Sequence, residues 1–335
     1  MFILHLIIAL APVFCFLTVL IVIDSYKLVR FQTVLLGNLA GIGAAAAAFG
    51  IHRWILKSAF VDSAQLSHYI APVVEEFLKG LYLVFLIRSR RVGFMVDSAI
   101  CGFAIGAGFA AIENLYYLYQ LENQSLLIWI VRGFGTAIMH GGTTAILGIL
   151  GRSVADRRGS EKWIVFVPGI AVAIVIHAIY NYFILPPAIS TLIMMIVFPT
   201  FIVVVFERSE QALKEWLGMD LDSDMTILEM IRSGHFLASK VGQYLQSLKS
   251  YFAGEILADM LCYIRLHVEL AIKAKGLLMI REAGFEEDPG CDVREKFQEL
   301  RYLEKSIGKT GKLAIAPLLR TSSKNLWQLQ MLLKI

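Results

Sequence analysis

Charge is what this sequence has least of. Only 17% of its 335 residues are Asp, Glu, Lys or Arg, while 57% are apolar and the mean hydropathy is +0.67. Soluble domains carry about a quarter charged residues, so this balance points to a membrane protein. Cysteine is scarce as well. Cys15, Cys101, Cys262 and Cys291 are scattered with no C-x-x-C, which argues against a disulfide framework and against a cysteine zinc site. Cys15 and Cys101 fall in apolar runs and read as small hydrophobes. The net charge of +4 is small and calls for no nucleic-acid partner. No basic stretch precedes the first apolar run, Phe2 to Ile23, and that run is too long for the core of a simple signal peptide. It reads as a span that stays in the bilayer.

Apolar runs are what the chain has in plenty. A helix needs about 20 apolar residues to cross the hydrocarbon core. Seven runs meet or approach this: 2–23, 31–51, 71–88, 94–119, 128–150, 163–184 and 188–206. The third begins with charges and scores poorly by hydropathy alone. The expected fold is therefore all-α, a polytopic membrane helix bundle of about seven spans over 1–206. Residues 207–335 read as a cytoplasmic α-helical domain, with amphipathic stretches at 225–253, 255–283 and 291–307 and a break at Asp288-Pro289-Gly290. His235 and His267 in that part are lone residues and read as structural.

Orientation follows from lysine and arginine in the short loops. Lys27, Arg30, Arg88, Arg90, Arg91, Arg152, Arg157, Arg158 and Lys162 fall in one alternate set of loops, nine in all, against Arg53 and Lys57 in the other. The basic side faces the cytoplasm, so the N-terminus is expected outside and the C-terminal part inside, in a multi-pass protein of the cell membrane. The 52–70 segment is then external. Trp54, Ile55, Phe60 and Leu66 suit it to lie along the headgroups, and an ordinary loop fits equally. Gly102 and Gly106 have G-x-x-x-G spacing with Gly108 just beyond, a pattern for close backbone approach between helices.

Within these spans lie Glu75, Glu76, Lys79, Glu113, Arg132, His140 and His177. One charge at the bilayer centre costs roughly 2.5–3.5 kcal/mol on the mildest scale. So many must pair, protonate or face water, and are expected to meet in space. The topology gives them one depth: four different spans carry them, each in its external half. Glu75 and Lys79 are i,i+4 and can form an ion pair, and His177 and Asn181 share a helix face by the same spacing. Pro72 suits a first helical turn, and Tyr116 and Tyr117 suit an interface.

Such a set has limited chemistry. A carboxylate in a dry cleft can act as general base on water, and a neighbouring His or Asn can stabilise the oxyanion formed at a carbonyl. Glu113, His140 and His177 also make a two-histidine, one-carboxylate set competent for a divalent metal such as zinc. No H-E-x-x-H is present. Spacing alone leaves both readings open.

The strings APVVEEFLKG (71–80), GFAIGAGFAAIENLYY (102–117), RGFGTAIMHGGTTAILG (132–148) and HAIYNY (177–182) resemble the PrsW family of bacterial intramembrane proteases. That family is related to the CAAX-processing (Rce1-type) and bacteriocin-immunity proteins. The resemblance spans roughly residues 70–185. It implies a polytopic protease of the cytoplasmic membrane that makes the first cut, on the external side, in a single-span substrate such as an anti-sigma factor. By the same resemblance, Glu75 and Glu76 form the paired-glutamate motif, with Glu75 the water-activating base and Lys79 at the motif's basic position. His177 and Asn181 match an H-x-x-x-N motif that lines the oxyanion site. Phe109 and Glu113 stand where the CAAX proteases have F-x-x-x-H, so a second acid here could bind metal or share a proton, and His140 could take over the histidine's task. Arg132 is expected to support the site. Residues 207–335 fall outside the resemblance and read as a regulatory or docking domain for a cytoplasmic protein partner.

Two rival classes use similar residues. A proton-coupled transporter or channel also buries acids and histidines, but it is expected to show inverted repeats, and none is visible between the halves. A non-catalytic scaffold or immunity protein could share the fold without the activity.

Overall fold

The computed structural model describes residues 2–58, 61–121, 125–285, 287, 290–319, 327–329 and 331–332. All regular structure among them is helical: α1 (Phe2–Val22), α2 (Phe31–Lys57), the single turn α3 (Ser63–Gln65), α4 (Ala71–Arg88), α5 (Met95–Gln120), the short α6 (Leu126–Ile130), α7 (Ala137–Arg158), α8 (Val167–Asn181), α9 (Pro187–Arg232), α10 (Lys240–Ser247), α11 (Gly254–Glu282) and α12 (Cys291–Ile315). The chain divides into two compact units, Met1–Ser209 and Glu210–Ile335.

Among the described residues six helical stretches are long and apolar enough to cross a membrane: α1, α2, α5, the run Leu126–Arg158, the run Trp163–Asn181 and α9. At 18 residues α4 is long enough, about 27 Å at 1.5 Å per residue, but it carries Glu75, Glu76, Lys79 and Arg88 and falls short in apolarity. The protein is a multi-pass membrane protein. Burial sorts the spans. The most apolar window of α5 is 89% buried inside the protein, whereas those of α1, α2 and α9 are 28–33% buried. The rest of their surface displays Leu, Ile, Val and Phe to the outside, far more exposed apolar surface than a soluble monomer carries. The bilayer is the solvent for those faces.

Small residues explain why α5 is central. A Cβ added at Gly102 would meet Thr144 O at 2.5 Å, and one at Gly106 would meet His140 O at 2.2 Å. On the other side, a Cβ added at Gly41 of α2 would meet Ile105 O at 1.9 Å, and one at Gly108 would meet Asn38 O at 2.1 Å. The α5 backbone thus touches α7 through two glycines and α2 through a third, as the G-x-x-x-G spacing anticipates. Around these seams pack Phe103, Ile138, Phe198 and Ile202 in one core and Leu83, Ile87, Ile105, Leu147 and Phe166 in another.

Two wide helical turns of π type, Leu66–Ile70 and Val131–Thr136, feed directly into α4 and α7. Such turns shift the side-chain register by one residue and recur at functional sites. Both helices they enter carry residues of the polar cluster. The first follows α3, which is held by a capping box: Gln65 N donates to Asp62 Oδ1 at 2.7 Å, and Asp62 N donates to Gln65 Oε1 at 3.2 Å.

Element boundaries differ from the sequence expectation in three places. α2 continues through 52–57 to Lys57, so that part of the external segment is span-helix rather than loop; Phe60 lies outside the described residues. α9 does not stop near 206, because Glu207 to Leu217 contains mostly good helix formers and no Gly or Pro. The helix expected over 225–253 is broken after Arg232, where Gly234 adopts a positive φ of 77° that disfavours other residues. Residues 288 and 289 of the expected break lie outside the described set.

The unit Glu210–Ile335 is built on α11. Its Lys275 is fully buried, with Nζ 2.6 Å from Asp224 Oδ2, 3.6 Å from Asp220 Oδ2 and 5.5 Å from the Trp216 ring centroid. A buried ammonium needs such anionic partners.

Candidate active site

The polar cluster is assembled from α2, α4, α5, α7 and α8, and Glu76 is its centre. Its side chain is inaccessible, and Oε1 accepts from Lys79 Nζ at 2.6 Å, from His177 Nδ1 at 2.7 Å and from Thr143 Oγ1 at 3.1 Å. Lys79, itself inaccessible, also lies 3.2 Å from His140 Nδ1 and sits over the Phe109 ring at 5.1 Å. The sequence suggested an ion pair between Glu75 and Lys79. The lysine pairs instead with Glu76, at i,i+3, because that carboxylate shares its buried helix face while Glu75 turns toward α2 and α8.

Glu75 is held quite differently. Its nearest ion-pair partners are His177 Nε2, 3.8 Å from Oε2, and His52 Nδ1, 4.0 Å from Oε1. Among the described residues it makes no side-chain hydrogen bond. Glu113 completes the acids. Its Oε2 is 2.8 Å from His140 Nε2, and its Oε1 is 3.4 Å from Arg132 Nη2. Arg132 in turn donates from Nε to Asn114 Oδ1 at 2.9 Å and stacks on Tyr117 at 3.8 Å, while Asn114 Nδ2 donates to the Ala9 carbonyl at 2.8 Å. Side-chain exposure rises from 0% at Glu76 through 11% at Glu75 to 26% at Glu113, so the last two are the acids a substrate can reach.

Each histidine thus has one ring nitrogen on a carboxylate: His177 on Glu76 and His140 on Glu113. Their rings meet edge to face with centroids 4.9 Å apart. A carboxylate behind an imidazole fixes its tautomer and aims the other nitrogen, the usual support of a metal-ligating histidine. One ligand atom from each of Glu75, His140 and His177 lies within 4.8 Å of the others, and all three residues are buried. Burial, the donor set and the carboxylate on each histidine fit a divalent ion, once His140 gives up one of its two partners, Glu113 or Lys79. The acid of this trio is Glu75, where the sequence suggested Glu113. Glu113 already uses one oxygen on His140 and faces Arg132 with the other.

Of the residues singled out from sequence, Glu75, Glu76, Lys79, Glu113, Arg132, His140 and His177 come together. Asn181 does not: its Nδ2 donates to Ser67 O at 3.1 Å, tying α8 to the wide turn before α4, and no hydrogen bond among the described residues joins it to the cluster. Close by, Tyr69 and Tyr182 share a hydroxyl–hydroxyl hydrogen bond and His68 stacks on Tyr182 at 4.7 Å. Sequence reasoning missed Thr143 and His52. Thr143 is a small polar residue in a Gly/Thr-rich stretch and gave no signal. His52, at the end of an apolar run, was a weak one.

A model of the family described as "PrsW family intramembrane metalloprotease" matches residues 26–206, which takes in every residue of the cluster. Neither the curated proteins nor the solved structures compared with the chain gave a match.

Proposed function

The chain belongs to the PrsW family of intramembrane metalloproteases, and from that premise we propose that it hydrolyses a peptide bond of a single-span membrane protein, such as an anti-sigma factor, near the external face of the cell membrane. The observation that carries this reading is the pairing of two carboxylate-backed histidines with a carboxylate, Glu75, that makes no side-chain hydrogen bond among the described residues. The excess of basic residues on one set of loops supports the external site, with the N-terminus outside and residues 207–335 in the cytoplasm, where they would meet a protein partner.

Glu75, His140 and His177 are the residues that would hold a divalent ion, zinc by its taste for histidine and carboxylate. Such an ion, when bound, polarises a carbonyl and acidifies water. The residues of the chain supply the rest. Glu76 fixes His177 through Nδ1, and Lys79 neutralises Glu76. Glu113, the most exposed acid, takes the proton of the attacking water. As the water oxygen bonds to the carbonyl carbon and the C–N bond breaks, that proton passes to the departing amine. A polar cluster set among lipid-facing helices would give water and a substrate segment a place to meet inside the bilayer.

One observation favours a metal-free variant with Glu75 itself as the base. Both ring nitrogens of His140 already have partners, Glu113 and Lys79, and taking a metal requires His140 to release one of them. Reconstitution with a panel of single-span substrates, comparing wild type with Glu75→Ala, Glu76→Ala and His177→Ala, tests the protease reading. Cleavage unchanged in all three, or absent in the wild type on every substrate, defeats it. Chelation followed by zinc return separates the variants: full activity in metal-free protein excludes the metal. Neither a transporter nor an inactive scaffold would cleave.

A further inference from the structure

His52 lies near the C-terminal end of α2, about three turns beyond Gly41, the last glycine seam with α5, and no motif of the sequence includes it. Its Nδ1 is 4.0 Å from Glu75 Oε1, opposite the 3.8 Å approach of His177 Nε2 to Glu75 Oε2. Its Nε2 is buried and has no hydrogen-bond partner, although 16% of the side chain reaches the surface. A histidine kept for packing normally has its buried nitrogens satisfied, because an orphaned polar atom costs about 1–3 kcal/mol. Among the described residues the one acid within ion-pair distance of the ring is Glu75. The next residue, Arg53, turns away and sits over the Phe49 ring at 5.6 Å.

We propose that His52 is the positioning residue of Glu75. Its Nδ1–H faces Oε1 and holds the carboxylate so that Oε2 points at His177. In that tautomer Nε2 carries a lone pair, so the orphaned atom is a buried acceptor with no donor among the described residues. Glu75 then has for its carboxylate what His177 has in Glu76: a fixed partner on the side away from the reaction. This rests on the reading of Glu75, His140 and His177 as a metal-holding trio, and the test is chosen to separate the two.

Zinc alone is titrated into the metal-stripped full-length protein in detergent, for wild type, His52→Ala, His52→Asn and His52→Gln. Removing a group that orients a metal ligand weakens affinity 10–100-fold, and that loss is expected for His52→Ala. Asparagine places an N–H near the position of Nδ1 and should restore most of the affinity. Glutamine places it near Nε2 and should not. A purely structural histidine would show no such preference. Alanine binding zinc as wild type does, while Glu75→Ala loses it, overturns the proposal and leaves the trio standing. Wild type that binds no zinc overturns the trio instead. In that case the melting temperatures of metal-free wild type, His52→Ala, Glu75→Gln and the double variant decide for His52: non-additive shifts uphold the contact, and additive shifts end it.

Discussion

His177 Nδ1 and Glu76 Oε1 stand 2.7 Å apart with both side chains closed to the outside, and this bond joins α8 to α4 at the heart of the cluster. Glu76 can serve it only while Lys79 neutralises the carboxylate. Lys79→Met therefore strips the counter-charge from a buried anion, a change that costs about 3–5 kcal/mol in comparable buried pairs. The expected result is a clear drop in melting temperature together with loss of cleavage. Adding Glu76→Gln to Lys79→Met removes the stranded charge and should return much of the stability without the activity. A double variant no more stable than the single one would show that the ion pair is not what the lysine is there for.

Arg132 is held on three sides, by Glu113, Asn114 and the Tyr117 ring. Lysine keeps the charge but has neither the planar surface to stack at 3.8 Å nor a second nitrogen for Asn114. Arg132→Lys is expected to behave like a loss of function. Glu113 would be freed from its fixed orientation, and cleavage should fall about tenfold or more while the fold survives, by the usual effect of loosening an orienting partner. Wild-type turnover in this variant, measured on any substrate the wild type cleaves, would remove Arg132 from the site.

Gly106 bears directly on His140. A Cβ there would lie 2.2 Å from the His140 carbonyl oxygen, and backbone cannot swing aside as a side chain can. Gly106→Ala must push α5 and α7 apart, at the roughly 1–3 kcal/mol typical of overpacking. Gly102→Ala meets Thr144 O at 2.5 Å and is the control, since it strains the same seam one turn away. Both should lower the melting temperature, but Gly106→Ala should lose far more activity per folded molecule. A displacement near 1 Å at a catalytic group can cost on the order of a hundredfold. Equal losses in the two variants would show that the seam matters only for stability.

The sequence carried the membrane bundle and the convergence of its polar residues, because both follow from solvation. Residues that cannot face lipid must face one another, and G-x-x-x-G spacing says where two backbones meet. Pairings within the cluster were less legible. Glu75 and Glu76 are adjacent, so i,i+3 and i,i+4 spacing each offered Lys79 a partner, and the choice depends on how α4 is rotated. That rotation is set at the wide turn Leu66–Ile70, which periodicity does not reveal. Neither does periodicity disclose that His52 of α2 stands beside Glu75, a contact made across the bundle. The continuation of α9 past 206 was masked for another reason: hydropathy reports where lipid ends and says nothing of where a helix ends.

His267 gives a prediction away from the membrane. Burial, reinforced by the nearby Lys275 ammonium, pushes its imidazole from 6.5 down to about 4. The folded residue therefore stays neutral down to that pH, while the unfolded chain takes up the proton near pH 6.5. Between these values the unfolded state binds more protons, so stability rises with pH across the window and is lost as pH falls through it. The full difference is about 3 kcal/mol, at about 1.4 kcal/mol per pH unit. His267→Gln keeps a polar side chain of similar reach without a titrating group. Its melting temperature, followed in the full-length protein from pH 7.5 to 4.5, should decline less steeply than that of the wild type, and the two curves should diverge below about pH 6.5. Parallel curves would mean that His267 is not the group being protonated on acid unfolding.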